Sequence, residues 1–510
     1  MDDVIEDVTI VGGGDSGLLT ALAIELMNPG IDVSVIDDFG RNVPQVGKST
    51  YRSIGKILHD TLAIDEQRFV AAVKPVWKCT VYFRDWCDSE FHFPFDVPVK
   101  FPNEDATDAV ETCYYYYDEL YDSPDHRTKG EEIVDQGMSP WHYSPREGRY
   151  KKYEHIAYHL NTERFNSFLR ELCRERSVSL IDDEIVSVET TGNRIDRVRS
   201  KSQAYESDLF VDASGFSRVL KGELGGEFRD FGFPLDTAYN VRVDRPLSEV
   251  IPATVVETGD HGWFWHIDTY DNRDLGYVYA SEYVSDEAAR AEFLDHVAEI
   301  DHEDGSVSAA DLDRYEFSSG YFEQPWAENC LAIGNAVGFV EPLQSTGLTV
   351  NAQAAVTLSN LLSTHGRVND DWIRETYNDW VRRSWESIYD FISVHYHYSA
   401  GDTAFWEAME SIDVSPRTER FVEEFDRNGF GTHIDPTQND DDLSDLLVFR
   451  PINFYEIMRK MGATSAFYED NQFDVSEDTR DEEEQYYRSV TNDVNNYLSI
   501  EEVYRGLLGE

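Results

Sequence analysis

Positive charge, cysteine and long apolar runs are all scarce in this chain. Its 510 residues carry 44 lysines and arginines against 99 aspartates and glutamates, a formal net charge of −55, and only 11 of the cations are lysine. A surface this acidic repels nucleic acid and anionic membranes, which recruit proteins through neutralising cations, so neither is expected as a partner. The five cysteines (Cys79, Cys87, Cys113, Cys173, Cys330) are scattered, odd in number and never spaced C-x-x-C, which argues against a disulfide framework and a zinc site. The 14 histidines include no H-E-x-x-H spacing, and no metal is expected. No run approaches the ~18 consecutive apolar residues of a membrane span. The start, Met1-Asp2-Asp3-Val4-Ile5-Glu6, lacks the basic n-region of a secretory signal, so cytoplasm is the expected compartment. Carboxylates hold water while molar salt screens their repulsion; the acidity therefore predicts a cytosolic protein of a salt-accumulating halophile.

What is present begins at the first apolar strand. Asp7-Val8-Thr9-Ile10-Val11 runs into Gly12-Gly13-Gly14-Asp15-Ser16-Gly17, and Leu18 to Leu26 has helical periodicity. A second strand, Ile31 to Ile36, ends in Asp37. G-x-G-x-x-G alone is weak evidence, but strand, Gly12/Gly14/Gly17, helix, strand and an acid about 20 residues on form a complete dinucleotide unit. The glycines let the backbone approach a pyrophosphate at the helix N-terminus, and Asp37 accepts from a ribose hydroxyl. Asn161 to Leu169 reads as a capped amphipathic helix with Thr162 as a cap. Residues 230–281, rich in β-branched and aromatic side chains, read as an antiparallel sheet. Helices follow over 370–397 and 416–427.

Two further features carry chemistry. Leu331-Ala332-Ile333-Gly334-Asn335 leads to Gly338-Phe339-Val340-Glu341-Pro342-Leu343-Gln344-Ser345-Thr346-Gly347-Leu348, an apolar strand, a turn and a helix opened by Ser345, whose unpaired backbone N–H groups make an anion site. Lys78 stands in Val76-Trp77-Lys78-Cys79-Thr80-Val81-Tyr82-Phe83. A lone strand lysine is commonly an edge or snorkelling residue; among these apolar neighbours, burial would lower its pKa and raise its neutral, nucleophilic fraction. Trp263 and Trp265 are two apart, so on a strand their rings share one face, an arrangement that core packing alone also explains.

Taken in order, these blocks resemble the flavin-dependent halogenases of the tryptophan-halogenase family over nearly the whole chain. The resemblance rests on Gly12 to Ala21, Val46-Gly47-Lys48-Ser49-Thr50, Trp77-Lys78, Phe210 to Phe216, Trp263-Phe264-Trp265-His266-Ile267, Glu341 to Gly347, Tyr389 to Tyr396 and Asp402 to Trp406. It implies an α/β fold: a Rossmann-like FAD-binding box of the flavin monooxygenase/halogenase type, with an antiparallel sheet and a mostly helical substrate module. The expected division is FAD-binding parts at 1–90, 151–225 and 326–365 (the last with the halide loop), a substrate-module insertion at 91–150, a substrate-side sheet at 226–325 and a helical module at 366–510. Implied flavin contacts are Gly12, Gly14, Gly17, Asp37, Gly47, Lys48, Ser49, Thr50, Val186 and Gly334; Ser345, Thr346 and Gly347 would hold chloride or bromide. The implied reaction uses FADH2 from a separate flavin reductase. With O2 it forms a flavin hydroperoxide, halide attacks to give hypohalous acid, and this travels through a tunnel to Lys78 and the aromatic substrate. The substrate is a small molecule or peptide, and a homodimer is left open.

The departures from the family pattern bear on substrate. Asp268 replaces the usual proline after the tryptophan pair, and Asn335 replaces the aspartate that commonly follows Gly334. Gln344 stands where tryptophan-specific members carry glutamate; an amide orients or hydrogen-bonds but cannot serve as a base. Either the substrate is a phenol or pyrrole needing less help, or another carboxylate such as Glu341 substitutes, or halogenation is lost. Phe93-Pro94-Phe95 stands where several members have histidine-proline-phenylalanine against the indole, with Phe454 and Tyr455 as a further aromatic wall. Free tryptophan is therefore disfavoured. The alternatives are a flavin monooxygenase or dehydrogenase on the same scaffold and a flavin-binding protein without turnover.

Overall fold

The structure, a computed structural model, describes residues 4–41, 47–95, 128–300, 307–367, 369–412, 414–428, 448–449, 451–466 and 477–508. Cys113 and the 96–127 part of the expected insertion lie outside them. The chain divides into two compact units, each assembled from three stretches of sequence.

The first unit comprises Met1–Pro75, Leu160–Asp236 and Glu316–Glu386. Its main sheet runs Ser179–Asp182, Asp32–Asp37, Asp7–Val11, Leu209–Asp212, Cys330–Ala332 and Trp326–Ala327. The first five strands pair in parallel and the last is antiparallel. Parallel strands are covered on both faces and so read as continuous apolar runs, as Val8, Ile10, Val33, Val35, Phe210 and Val211 do, all buried. Helix Asp15–Met27 packs against helices Thr162–Glu175 and Gly347–Thr364 as well as the sheet. That explains why Leu18, Leu19, Leu22 and Ile24 are buried around its girth. Helix Thr162–Glu175 is capped by Asn161, whose side chain accepts from the Arg164 N–H, with Thr162 already inside the helix. Strand Ser179–Asp182 joins the parallel sheet beside Asp32–Asp37, whereas Ile185–Thr191 turns away to pair with Arg194–Ser200.

The second unit comprises Val76–His159, Thr237–Tyr315 and Ser387–Glu510. Its seven-stranded sheet is ordered Asp313–Glu316, Thr237–Val243, Arg273–Tyr279, Gly262–Asp268, Ala253–Gly259, Thr80–Arg84 and Phe91–Pro94. The antiparallel pairing expected over 230–281 is present in its centre. Alternation along Gly262–Asp268 puts Trp263 and Trp265 on one face and Phe264 and His266 on the other. Phe264, Tyr277 and Tyr279 bury with Phe293 and Val297 of helix Asp286–Glu299 in one apolar cluster, each such side chain contributing about 1.5–3 kcal/mol by leaving water. Strand Val76–Lys78 pairs antiparallel with Ala157–Leu160, Lys78 opposite Ala157.

Among the described residues, no helix is long and apolar enough to cross a membrane, and Cys79, Cys87, Cys173 and Cys330 are free thiols.

Candidate active site

The residues expected to hold flavin and halide belong to the first unit. Gly12 has φ +114°, and a Cβ there would lie 2.3 Å from the Ala213 carbonyl oxygen; one on Gly17 would lie 2.0 Å from that of Gly12. Both glycines are therefore required by backbone packing. Gly14 is different: it precedes the 15–27 helix, and no atom lies within 4 Å of where its Cβ would be. This open space beside a helix N-terminus fits a pyrophosphate. The Asp37 carboxylate, at the end of its strand, accepts from the Gly13 N–H at 2.8 Å, so it braces the glycine turn. Lys48 is ion-paired with buried Asp15, and Asn166 donates to Gly13 O at 3.3 Å and to Asp15 at 3.2 Å.

Gly47, Lys48 and Ser49 are half-buried, Thr50 is buried, and the Tyr51 N–H donates to Thr349 Oγ1 at 3.0 Å, fastening this loop to helix Gly347–Thr364. Gly334 has φ +68°, and a Cβ there would meet Ser16 Oγ at 2.6 Å; the turn at 334 thus closes on the first helix. Val186 stands on the separate 185–205 sheet and is 58% exposed.

Within the 341–347 loop Pro342 and Gly347 are exposed and the other residues are buried. Gln344, Ser345 and Thr346 are 1%, 7% and 3% exposed. Ser345 is not the helix cap: it takes φ +56° and donates its N–H to Pro342 O at 2.9 Å, closing a turn. The helix begins at Gly347 after Thr346, with no side-chain cap. Its first N–H groups are thus left for another acceptor, and beside Gly347 no atom lies within 4 Å of a Cβ position. Gly347 is itself exposed, so this side of the turn opens to solvent. Glu341 turns one oxygen onto its own loop, accepting from the Leu343 N–H at 3.0 Å.

Lys78 and the expected substrate aromatics belong to the second unit. Lys78 is fully buried, and burial drives its ammonium pKa well below the ordinary lysine range. Its Nζ lies 5.3 Å from the centre of the Phe95 ring. His159, buried nearby, is pushed down to about 3 by burial and by the Lys78 charge, while its ring nitrogens contact Asp268 O and Thr254 Oγ1, both at 2.9 Å. Phe93 packs 5.5 Å from Phe391, and Phe454 lies 5.1 Å from the same ring. Phe391 also stacks on Phe449 at 3.8 Å, making it the centre of the wall; the sequence offers no signal for that role beyond its place in the 389–396 block. Tyr455 points elsewhere, stacking on Phe425 at 5.9 Å.

Trp263 and Trp265 meet edge to face at 6.1 Å. Trp263 Nε1 donates to the Tyr396 hydroxyl and Trp265 Nε1 to Asp274, each at 3.1 Å. Asp268, in the usual proline's place, accepts from Arg273 Nε at 2.8 Å and Nη2 at 3.0 Å and from the Ile251 N–H at 2.7 Å, with Arg245 Nε at 3.3 Å. Burial pushes its carboxyl up, but the two guanidiniums outweigh that and hold it below the usual range.

A parallel sheet whose first strand runs through the Gly12–Gly17 turn into a helix, closed by Gly334, is the arrangement of a dinucleotide-binding fold. The tryptophan halogenase family model matches residues 7–473, and the chain belongs to that family. It is 28% identical over 440 residues to the tryptophan 6-halogenase SttH of Streptomyces toxytricini, covering 80% of this chain and 82% of that one. To the 7-chloro-L-tryptophan 6-halogenase KtzR of Kutzneria sp. (strain 744) it is 27% identical over 435 residues, covering 78% and 81%. Among solved structures, BrvH, a flavin-dependent halogenase from Brevundimonas sp. BAL3, superposes with a TM-score of 0.82 at 25% identity, covering 99% of this chain and 100% of BrvH. The protein is thus a flavin-dependent halogenase, an enzyme that uses a flavin and a halide.

Proposed function

We propose that this halogenase acts in the cytoplasm on an electron-rich phenol, pyrrole or indole other than free tryptophan, with Lys78 as the residue that delivers the halogen. The carrying observation is Lys78 itself, a fully buried amine of depressed pKa beside Phe95. Its depressed pKa raises the neutral fraction of this nitrogen, which can hydrogen-bond or accept electrophilic halogen away from bulk water. Bound as FADH2, supplied by a separate reductase, the cofactor would provide with O2 the oxidising power that turns halide into hypohalous acid. Gly12, Gly14, Gly17, Asp37, Gly47, Lys48, Ser49, Thr50, Val186 and Gly334 would hold that cofactor, and Ser345, Thr346 and Gly347 would hold the halide through backbone N–H groups.

Phe93, Phe95 and Phe454 orient an aromatic ring, with Phe391 behind them. Gln344, 1% exposed, orients substrate but removes no proton, because its amide does not ionise in this range. A ring already activated by oxygen or nitrogen needs less help with that step. Incubation with a flavin reductase, NADH, FAD and bromide in high salt, against mixed indoles, phenols and pyrroles, tests the reading. The expected product shows the bromine isotope doublet on a phenol, pyrrole or substituted indole and not on free tryptophan. Direct NAD(P)H consumption without the reductase would favour a monooxygenase or dehydrogenase, and flavin binding without halide-dependent product would mark lost turnover.

A further inference from the structure

We propose that Glu257, His266 and His296 bind a divalent transition-metal ion of the zinc class, fixing helix Asp286–Glu299 to the central sheet of the second unit. No sequence spacing announces this site, because its ligands come from two strands and a helix. Register pairs Val255 with His266 and Glu257 with Phe264, so Glu257 and His266 are diagonal neighbours on one face. His296, in the helix's last turn, lies flat on Phe264, ring centres 3.9 Å apart and planes at 7°, which fixes the direction of its nitrogens. One ligand atom from each residue lies within 4.8 Å of the other two. His266 Nε2 and His296 Nε2 are 2.9 Å apart.

In the metal-free protein these two nitrogens share one proton in a hydrogen bond; two imidazole nitrogens each about 2.1 Å from one zinc ion stand about 3.0–3.4 Å apart, so the ion replaces that proton as the two rings turn to converge on it. Glu257 supplies the third ligand of the cluster; its Oε1 now stands 3.6 Å from His296 Nδ1, the ring nitrogen that does not face His266, and its side chain has to turn to reach an ion held by the two Nε2 atoms. Two imidazoles and a carboxylate favour zinc, nickel or copper over magnesium or calcium. Burial holds His266 at about 3 and His296 at about 4, so both are neutral and able to ligate near neutral pH. The competing cation is Arg84, Nη1 3.9 Å from Glu257 Oε2.

A second grouping, Asp260, His261 and Glu292, is the weaker candidate. Both Glu292 oxygens are already engaged, by the Asp260 N–H at 2.7 Å and the Tyr277 hydroxyl at 2.8 Å. It supplies the control. The full-length protein, stripped with chelator, is titrated with Co2+ while its visible d–d bands are followed, then with Zn2+ in competition, and its melting is recorded with and without Zn2+. One equivalent should bind, and zinc near 100 times its Kd should raise the thermal midpoint by at least about 2 °C. His296→Gln and Glu257→Gln should each weaken binding at least about tenfold, while His261→Gln should leave it unchanged. Glu257 is half-buried and on the surface side of the cluster, so its variant carries the test if His296→Gln fails to fold. Absence of a stoichiometric site, or loss in His261→Gln with retention in the other two, would overturn the proposal.

Discussion

Lys78 and Asp268 are both buried ionisable side chains of the second unit, and their surroundings favour the neutral form of the one and the ionised form of the other. Burial depresses Lys78 towards the neutral amine, whereas Arg273 and Arg245 keep Asp268 ionised against its burial. Different responses to substitution follow. Lys78→Met removes the nitrogen and keeps an unbranched apolar stem with sulfur in place of one methylene; halogenated product should fall by about 10²–10⁴-fold while flavin affinity, followed by fluorescence quenching, and NADH-coupled flavin oxidation stay within a factor of about two. Product at wild-type level would remove Lys78 from the reaction. Asp268→Asn leaves two guanidiniums buried without their carboxylate, a loss of about 3–5 kcal/mol. It should appear as a lower denaturant midpoint at unchanged slope. The substitution for proline at this position is therefore coupled to Arg245 and Arg273, and Asp268→Pro alone should not restore stability.

At the scale of elements, strand Gly262–Asp268 has to satisfy two faces at once, and its neighbours are shaped accordingly. Trp265 lies over Gly276, its register partner, where a Cβ would come within 1.8 Å of the indole. Gly276→Ala should thus displace the indole and cost about 1–3 kcal/mol, with a red-shifted or altered tryptophan emission as the local readout. Three buried histidines of the same unit and the half-buried His296 are kept neutral by desolvation: His159 and His266 at about 3, His296 and His395 at about 4. Each pKa lies below the unfolded value near 6.5, so the unfolded chain binds more protons across the interval between them. Stability then rises with pH there and is lost as pH falls from about 6.5 towards 4, each histidine contributing about 1.4 kcal/mol per pH unit. Melting at fixed salt should show this fall, and a flat profile over that interval would contradict neutral burial.

The glycine turn, the parallel strands and the tryptophan pair were legible in the sequence because each is a local pattern with one steric solution. The conformation of Ser345, the bracing of Gly13 by Asp37, the Phe391 cluster and the His266–His296 pair were not, because they depend on residues distant in sequence and on which face each element buries. Capping shows the same limit over a single residue, Asn161 capping the helix that Thr162 enters.

For the whole molecule the governing quantity is a net charge of −55. Many cations are already committed locally: Arg68 to Glu171 and Glu175, Arg382 to Asp379 and Glu386, Arg505 to Glu501. Such exposed pairs contribute little stability, and they leave the excess of carboxylates facing solvent. At 0.1 M salt the screening length is about 10 Å, comparable with spacings between surface charges, and at 1 M it is about 3 Å. Self-repulsion therefore works against the compact state in dilute buffer and is largely removed in concentrated salt. The folded fraction should increase steeply with potassium chloride from about 0.1 to 1 M and level off beyond it. Because the enzyme also binds halide, the chloride series has to be matched by potassium acetate at equal ionic strength. Screening predicts superimposable midpoints in the two salts, whereas stabilisation through the Ser345–Gly347 loop predicts a chloride excess that saturates as RT ln(1 + [Cl⁻]/Kd) and is absent in acetate. A protein fully folded and monodisperse in low-salt buffer would exclude salt adaptation as the reason for its acidity.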